Sequence, residues 1–235
     1  MRRTEPPHPL ALAIALLAFA TLLVPATAAH GVAEGDRQFI VDNEGPQIGP
    51  FLYLGAKHMV TGYDHLLFLV GVIFFLYRLK EVAVYVSMFT LGHSLTLLVG
   101  VLANVPANVY MVDAIIGLSV VYKGFDNLGG FKRLLGYQPN TKAAVLIFGL
   151  FHGFGLATKL QEFELGANGL VANILAFNVG VEIGQILALG VILLFMTWWR
   201  PHPSFHKHTL AANTFLMAGG LVLLGYQVTG YFVST

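Results

Sequence analysis

The sequence predicts an all-α fold, a polytopic bundle of six transmembrane helices that follows an N-terminal signal peptide. Of its 235 residues, 56% are hydrophobic and only 11% are charged, whereas a soluble domain carries about a quarter charged residues. The apolar residues form six runs, each close to the roughly 20 residues that cross a bilayer. These runs are too long and too continuous for the alternating strands of a membrane barrel, so helices are predicted.

The composition also excludes several classes of function. The formal net charge is +1, which gives no basic surface for nucleic acid. The chain has no cysteine, so disulfides, thiolate metal sites, iron–sulfur clusters and thiol catalysis are excluded. It does have nine histidines, many for so apolar a chain. Any metal site must therefore use nitrogen and oxygen ligands.

The first 50 residues divide into two parts. Residues 1–29 have the features of a secretory signal peptide, with Arg2 and Arg3 before an apolar stretch at 10–24 and small residues near the end. An uncleaved signal would remain as an extra N-terminal helix. Residues 30–50 are polar and are predicted to be a short extracytoplasmic lead-in. Residues 51–235 then form the six-helix membrane domain.

The basic residues predict the orientation of this domain in a bacterial inner membrane. The predicted helices cover 51–77, 82–105, 109–128, 143–160, 170–199 and 210–232. With a translocated N-terminus, one side of the membrane carries eight basic residues and the other carries three. Because cytoplasmic loops are enriched in Lys and Arg, the mature N-terminus and the C-terminus are both predicted to be extracytoplasmic.

The first apolar run holds the most informative motif, at residues 58–68. It contains His58, Asp64 and His65, and ionisable groups at membrane depth usually face a protein interior and mark a site. In one continuous helix, His58 and His65 would share a face because they lie close to two turns apart. Two imidazoles and a carboxylate provide half of a divalent-metal site.

Other runs carry polar residues at a similar depth. His93 lies near the middle of the second run and His152 near the middle of the fourth, while Asn178 and Glu182 share a face of the fifth. At about 1.5 Å per residue, His65, His93, His152 and Glu182 all fall near the bilayer midplane. Nearby glycines would let the helices approach closely. The predicted metal ligands are His58, Asp64, His65, His93, His152, Glu182 and Asn178. The alternative is packing alone, with each histidine hydrogen-bonded to a neighbouring hydroxyl or carbonyl.

The same residues support more than one function. A divalent-cation transporter is the leading hypothesis, and imidazole with carboxylate suits Ni, Co, Zn and Cu(II) without distinguishing them. The alternative is an intramembrane zinc-dependent hydrolase in which Glu182 acts as general base. A haem held by His93 and His152 is a third interpretation. A homo-oligomer is compatible with the sequence. His202, His206 and His208 are predicted to lie in a cytoplasmic loop.

The motifs resemble those of the HupE/UreJ family of membrane proteins. The resemblance rests on residues 58–68, on Gly92-His93-Ser94 and on Phe151-His152-Gly153, and it extends over nearly all of the chain after the signal peptide. It implies nickel or cobalt transport, with His58, Asp64 and His65 as ligands and with partners in the maturation of hydrogenase or urease. Well-known members continue the last motif with His and then Glu. Leu156 and Lys159 stand at those places here, which is typical of a divergent branch.

Overall fold

The computed structural model describes residues 45–161 and 168–234, and all the regular structure in these two ranges is helical. This confirms the prediction of an all-α fold. The predicted signal peptide and most of the predicted lead-in lie outside the described residues. The helices are α1 (Ile48–Thr61), α2 (Tyr63–Ile73), α3 (Leu79–Leu102), α4 (Val109–Asn127), α5 (Gly130–Leu135), α6 (Thr141–Gln161), α7 (Leu170–Trp199) and α8 (Pro203–Ser234).

Four of these helices, α3, α6, α7 and α8, are long and apolar enough to cross a membrane. They correspond to the second, fourth, fifth and sixth predicted runs. The third run is the 19-residue helix α4, which carries the charged residues Asp113, Lys123 and Asp126. The first run is two shorter helices, α1 and α2. The number of membrane crossings therefore stays a prediction.

The prediction of one continuous helix over 51–77 is wrong, because the helix is broken at Gly62. This residue has extended backbone angles, φ −73° and ψ 96°, and it ends α1 and begins α2. Glycine is a poor helix former because its backbone loses the most conformational entropy on folding. A Cβ at position 62 would also lie 2.9 Å from the carbonyl oxygen of His58. The break falls between His58 and His65.

Both halves of the broken helix are fixed at their outer ends by side chains from other helices. Before α1, the backbone N–H of Gln47 donates to Oδ1 of Asn173, at 2.6 Å. At the end of α2, Nη2 of Arg200 donates to the carbonyl oxygens of Ile73 and Phe74. The last carbonyl groups of a helix have no partner within it, so Arg200 satisfies groups that would otherwise be costly to bury.

Two parallel helix pairs position the broken helix and its neighbours. Along α1 and α7, Gly180 approaches Leu52 and Ala56, and Gly184 approaches Ala56 one turn further on. The residue numbers increase together, so α1 and α7 run parallel. Helices α3 and α6 are also parallel, because Gly149 contacts Phe89 and Gly153 contacts His93. Added Cβ atoms at these glycines would collide with backbone atoms, so only glycine allows the observed spacing.

A third pair, α4 and α8, runs antiparallel. Gly117 lies against Leu224 and Gly220, whereas Gly124 lies against Asn213, so the numbers change in opposite directions. These three pairs make the most extensive contacts between helices in the described part of the chain. Helices that cross a membrane in alternating directions would give the same pattern, if α1 and α2 together make one crossing.

The last helix begins earlier than predicted. Helix α8 starts at Pro203, a residue that suits the first helical position because its missing N–H would have no partner there. His206 and His208 therefore lie in the first turns of α8, and the prediction that they belong to a loop is wrong. His202 is in the short turn before it, and Nδ1 of His202 lies 2.7 Å from the carbonyl oxygen of Trp198.

Candidate metal centre

The break at Gly62 brings the polar residues of α1 and α2 together. An unbroken helix would separate residues 58 and 65 by about 10 Å along its axis. In the structure, the ring centroids of His58 and His65 are 5.0 Å apart. Oδ2 of Asp64 lies 3.1 Å from Nδ1 of His65. The first predicted motif therefore forms one compact group of three side chains, although it lies on two helices.

Two further histidines reach this group from α3 and α6. The ring centroid of His65 lies 5.8 Å from that of His93 and 4.9 Å from that of His152. Helices α3 and α6 approach closely at Gly153, and from these helices both histidines contact His65 on α2. Four imidazoles and one carboxylate, from four helices, thus lie close together, with His65 as the central member.

All five side chains are buried. His58 is 9% exposed, and Asp64, His65, His93 and His152 are 0% exposed. Their possible ligand atoms form two groups of three, His58 with His65 and His93, and Asp64 with His65 and His152. Within each group the ligand atoms all lie within 4.8 Å of one another. This spacing suits a metal ion, whose ligands each lie about 2.0–2.2 Å from it, after small side-chain movements.

The hydrogen bonding of His152 and His93 indicates which ring nitrogens are available to a metal ion. Nδ1 of His152 lies 2.7 Å from the carbonyl oxygen of Phe148, so Nδ1 is the donor and Nε2 keeps the lone pair that a metal requires. Among the described residues, neither ring nitrogen of His93 has a hydrogen-bond partner. A histidine kept only for packing should be hydrogen-bonded when it is fully buried. His93 does not fit that alternative.

Aromatic residues that the sequence analysis did not single out enclose the cluster. The ring centroid of Phe89 lies 6.1 Å from those of His65 and His93 and 5.0 Å from that of His152. Phe68 packs on His152 at 5.3 Å. Phe89 precedes His93 by four residues and Phe68 follows His65 by three, so helical spacing could have identified both. Both phenylalanines are themselves buried, so they surround the imidazoles with apolar side chains.

Glu182 lies apart from these five residues. It is exposed on α7 and lines a cavity of about 640 Å³ between α3 and α7, together with Ser87, Ser94 and Gln185. It belongs to neither group of possible metal ligands. Asn178, also on α7, is 8% exposed, and its Oδ1 has no hydrogen-bond partner among the described residues. The neighbouring Phe177 packs on His58 at 6.1 Å between ring centroids.

Four other charged residues of the helices form two ion pairs outside the two groups of possible ligands. Nζ of Lys123 lies 2.5 Å from Oδ2 of Asp126. Nζ of Lys159 lies 3.0 Å from Oδ2 of Asp113 and thereby joins α6 to α4. The family resemblance predicts a glutamate at position 159. The lysine found there instead has an ion-pair partner on another helix.

The long apolar helices, the Gly-mediated packing and the buried imidazoles define a helical membrane protein with a polar centre. The chain belongs to the HupE/UreJ family, because a family model described as HupE / UreJ protein matches residues 34–235. That match covers all of the described helices. Comparisons with curated proteins and with solved structures gave no match.

Proposed function

We propose that this protein transports a divalent transition-metal ion of the nickel or cobalt kind across the bacterial inner membrane. The ion would bind among His58, Asp64, His65, His93 and His152. The observation that carries the proposal is the burial of four imidazoles and a carboxylate in two groups of three that share His65, with the ligand atoms of each group within 4.8 Å of one another. Such groups are costly inside a membrane and are kept there for a function. Family membership supports the same conclusion.

The structure offers less support for the two other functions. Hydrolysis would need Glu182 beside a metal-bound water, whereas Glu182 lines the separate cavity between α3 and α7. A haem between His93 and His152 would need the space beside them that His65 and Phe89 occupy. Metal transport is the function that uses the five clustered residues as they are placed.

The first test measures the metal content of protein purified without chelators and then loaded with Ni²⁺ or Co²⁺ at neutral pH. Native protein is expected to hold metal, and His65→Ala should lose it because His65 belongs to both ligand groups. His208→Ala is the matched control, since His208 is exposed on α8. Metal uptake by cells should fall for the first variant only.

Inductively coupled plasma mass spectrometry gives the metal content, and size-exclusion chromatography in detergent shows whether each variant remains folded. His65→Gln provides a second variant that keeps more of the side-chain volume. Equal metal content in native protein and in both His65 variants would overturn the proposal, and so would the absence of metal from loaded native protein.

A further inference from the structure

The five clustered side chains do not form a single shell around one point. Their ligand atoms fall into two groups of three, and His65 is the member that the groups share. Ligands of one metal ion can lie at most about 4.4 Å apart, since each bond is about 2.0–2.2 Å long. Two overlapping groups of three indicate two neighbouring positions for an ion.

The two groups differ in burial. The first contains His58, which is 9% exposed and lies on α1, before the break at Gly62. The other members of the first group, and all members of the second, are 0% exposed. The first group is therefore the one that an ion from outside the bundle meets first. We call it the outer position, formed by His58, His65 and His93, and the second the inner position, formed by Asp64, His65 and His152.

The two groups also differ in chemistry. The outer position has three imidazoles, which are neutral when they bind a metal. The inner position has two imidazoles and the carboxylate of Asp64. The separation of 3.1 Å between Oδ2 of Asp64 and Nδ1 of His65 is close to the spacing of adjacent ligands on one ion with bonds of about 2.1 Å. The negative charge makes the inner position the more favourable one for a dication.

We propose that the metal ion occupies these two positions in turn and that His65 binds it in both. This inference rests on the proposed transport function. The ion exchanges His58 and His93 for Asp64 and His152 while His65 remains a ligand, so it is never without protein ligands in the membrane. The outer position selects an ion that accepts imidazole, and the carboxylate then attracts it inward.

The test uses the full-length protein loaded with Co²⁺ and examined by X-ray absorption at the cobalt edge, which counts imidazole ligands. His93→Gln and His58→Gln each remove a ligand of the outer position only, whereas His152→Gln and Asp64→Asn each remove a ligand of the inner position only. His65→Gln affects both, and His208→Gln is the control. Size-exclusion chromatography verifies the fold of each variant.

With one outer ligand removed, we expect Co²⁺ bound by two imidazoles and a carboxylate. In His152→Gln we expect Co²⁺ bound by three imidazoles. His65→Gln should lose affinity by more than about 100-fold, because even a residue that only hydrogen-bonds to a metal ligand is worth about 10–100-fold in affinity. The four variants that affect one position only (His58→Gln, His93→Gln, His152→Gln and Asp64→Asn) should each retain binding yet lose most metal uptake by cells, because transfer needs both positions.

Two results separate the inference from the function on which it rests. If every single variant at the five positions abolishes Co²⁺ binding, and native protein binds one ion with four or more of these ligands, then there is one position and the inference is overturned while transport remains supported. If folded native protein binds no Co²⁺ at all, then the proposed function itself has failed.

Discussion

At the scale of single residues, Lys159 differs from the residue that the family resemblance predicts, and it forms an ion pair with a carboxylate on a neighbouring helix. Its ammonium group lies 3.0 Å from Oδ2 of Asp113, and Nε2 of Gln227 lies 3.2 Å from the same oxygen. The side chains of Lys159 and Asp113 are 15% and 2% exposed. The ion pair therefore connects α6 to α4, and the hydrogen bond from Gln227 connects α8 to the same carboxylate.

We expect Lys159→Met to destabilise the protein, because it leaves the carboxylate of Asp113 buried without its cation. Removal of one partner of a buried ion pair costs about 3–5 kcal/mol. The combination with Asp113→Asn should recover most of this loss, and Lys132→Met, at an exposed lysine of α5, should have little effect. Thermal unfolding in detergent measures the change. Equal midpoints for Lys159→Met and Lys132→Met would contradict the expectation.

Most of the residues at the candidate site could be predicted from the sequence, because charged and imidazole side chains are conspicuous in apolar runs. The sequence contains no indication that Glu182 lies outside the cluster that the histidines and Asp64 form. A residue's depth can be estimated by counting along a helix, but its direction depends on how that helix is rotated against its neighbours. Glu182 has a similar depth to His65 by that count, yet it faces the cavity between α3 and α7.

At the scale of helices, the four long spans were predicted to within a few residues at most ends, since continuous hydrophobicity is a strong pattern. The break at Gly62 was missed because hydrophobicity continues through it. Helix-breaking residues are tolerated at membrane depth where the irregular backbone is buried in protein. The Gly62 N–H still donates to the carbonyl oxygen of His58 at 2.8 Å, and Gly62 itself is buried beside His65 and Asp64.

The directions of the helix pairs lead to a prediction about orientation. If α1 and α2 make one crossing, the end of α8 lies on the side where α1 begins, and the segment between α5 and α6 lies on the other. The distribution of basic residues predicts that this segment is cytoplasmic. We therefore propose that Ser234 is extracytoplasmic and Tyr137 is cytoplasmic.

Because the chain has no cysteine, single-cysteine variants can test this orientation directly. A membrane-impermeant maleimide added to intact spheroplasts should label Ser234→Cys, and it should label Tyr137→Cys only after the membrane is opened. The cysteine-free chain is the blank. Labelling of both variants from outside would refute the proposed number of crossings, and the reverse pattern would refute the direction.

At the scale of the whole molecule, the membrane class and the all-α fold followed from composition, and the histidines predicted that several helices meet at one site, whereas the way in which particular helices pair to form it could not be predicted. That pairing depends on glycines whose partners are distant in sequence, such as Gly153 on α6 against His93 on α3. A single sequence shows that a glycine is present and gives no indication of which helix will pack against it.

The ligands of the cluster have a consequence for the energy source of transport. The carboxylate of Asp64 and the imidazoles belong to the protein and do not cross the membrane with the ion, so a dication that crosses alone carries two positive charges. An electrical potential contributes about 2.3 kcal/mol per elementary charge for each 100 mV, or about 4.6 kcal/mol for a dication. An interior-negative voltage of this size would by itself favour a metal ion in the cytoplasm by more than about 1000-fold. In vesicles that contain the purified protein, Ni²⁺ uptake should rise when a potassium diffusion potential, negative inside, is imposed. If the rate of uptake does not depend on this voltage, another ion balances the charge of the metal ion during transport.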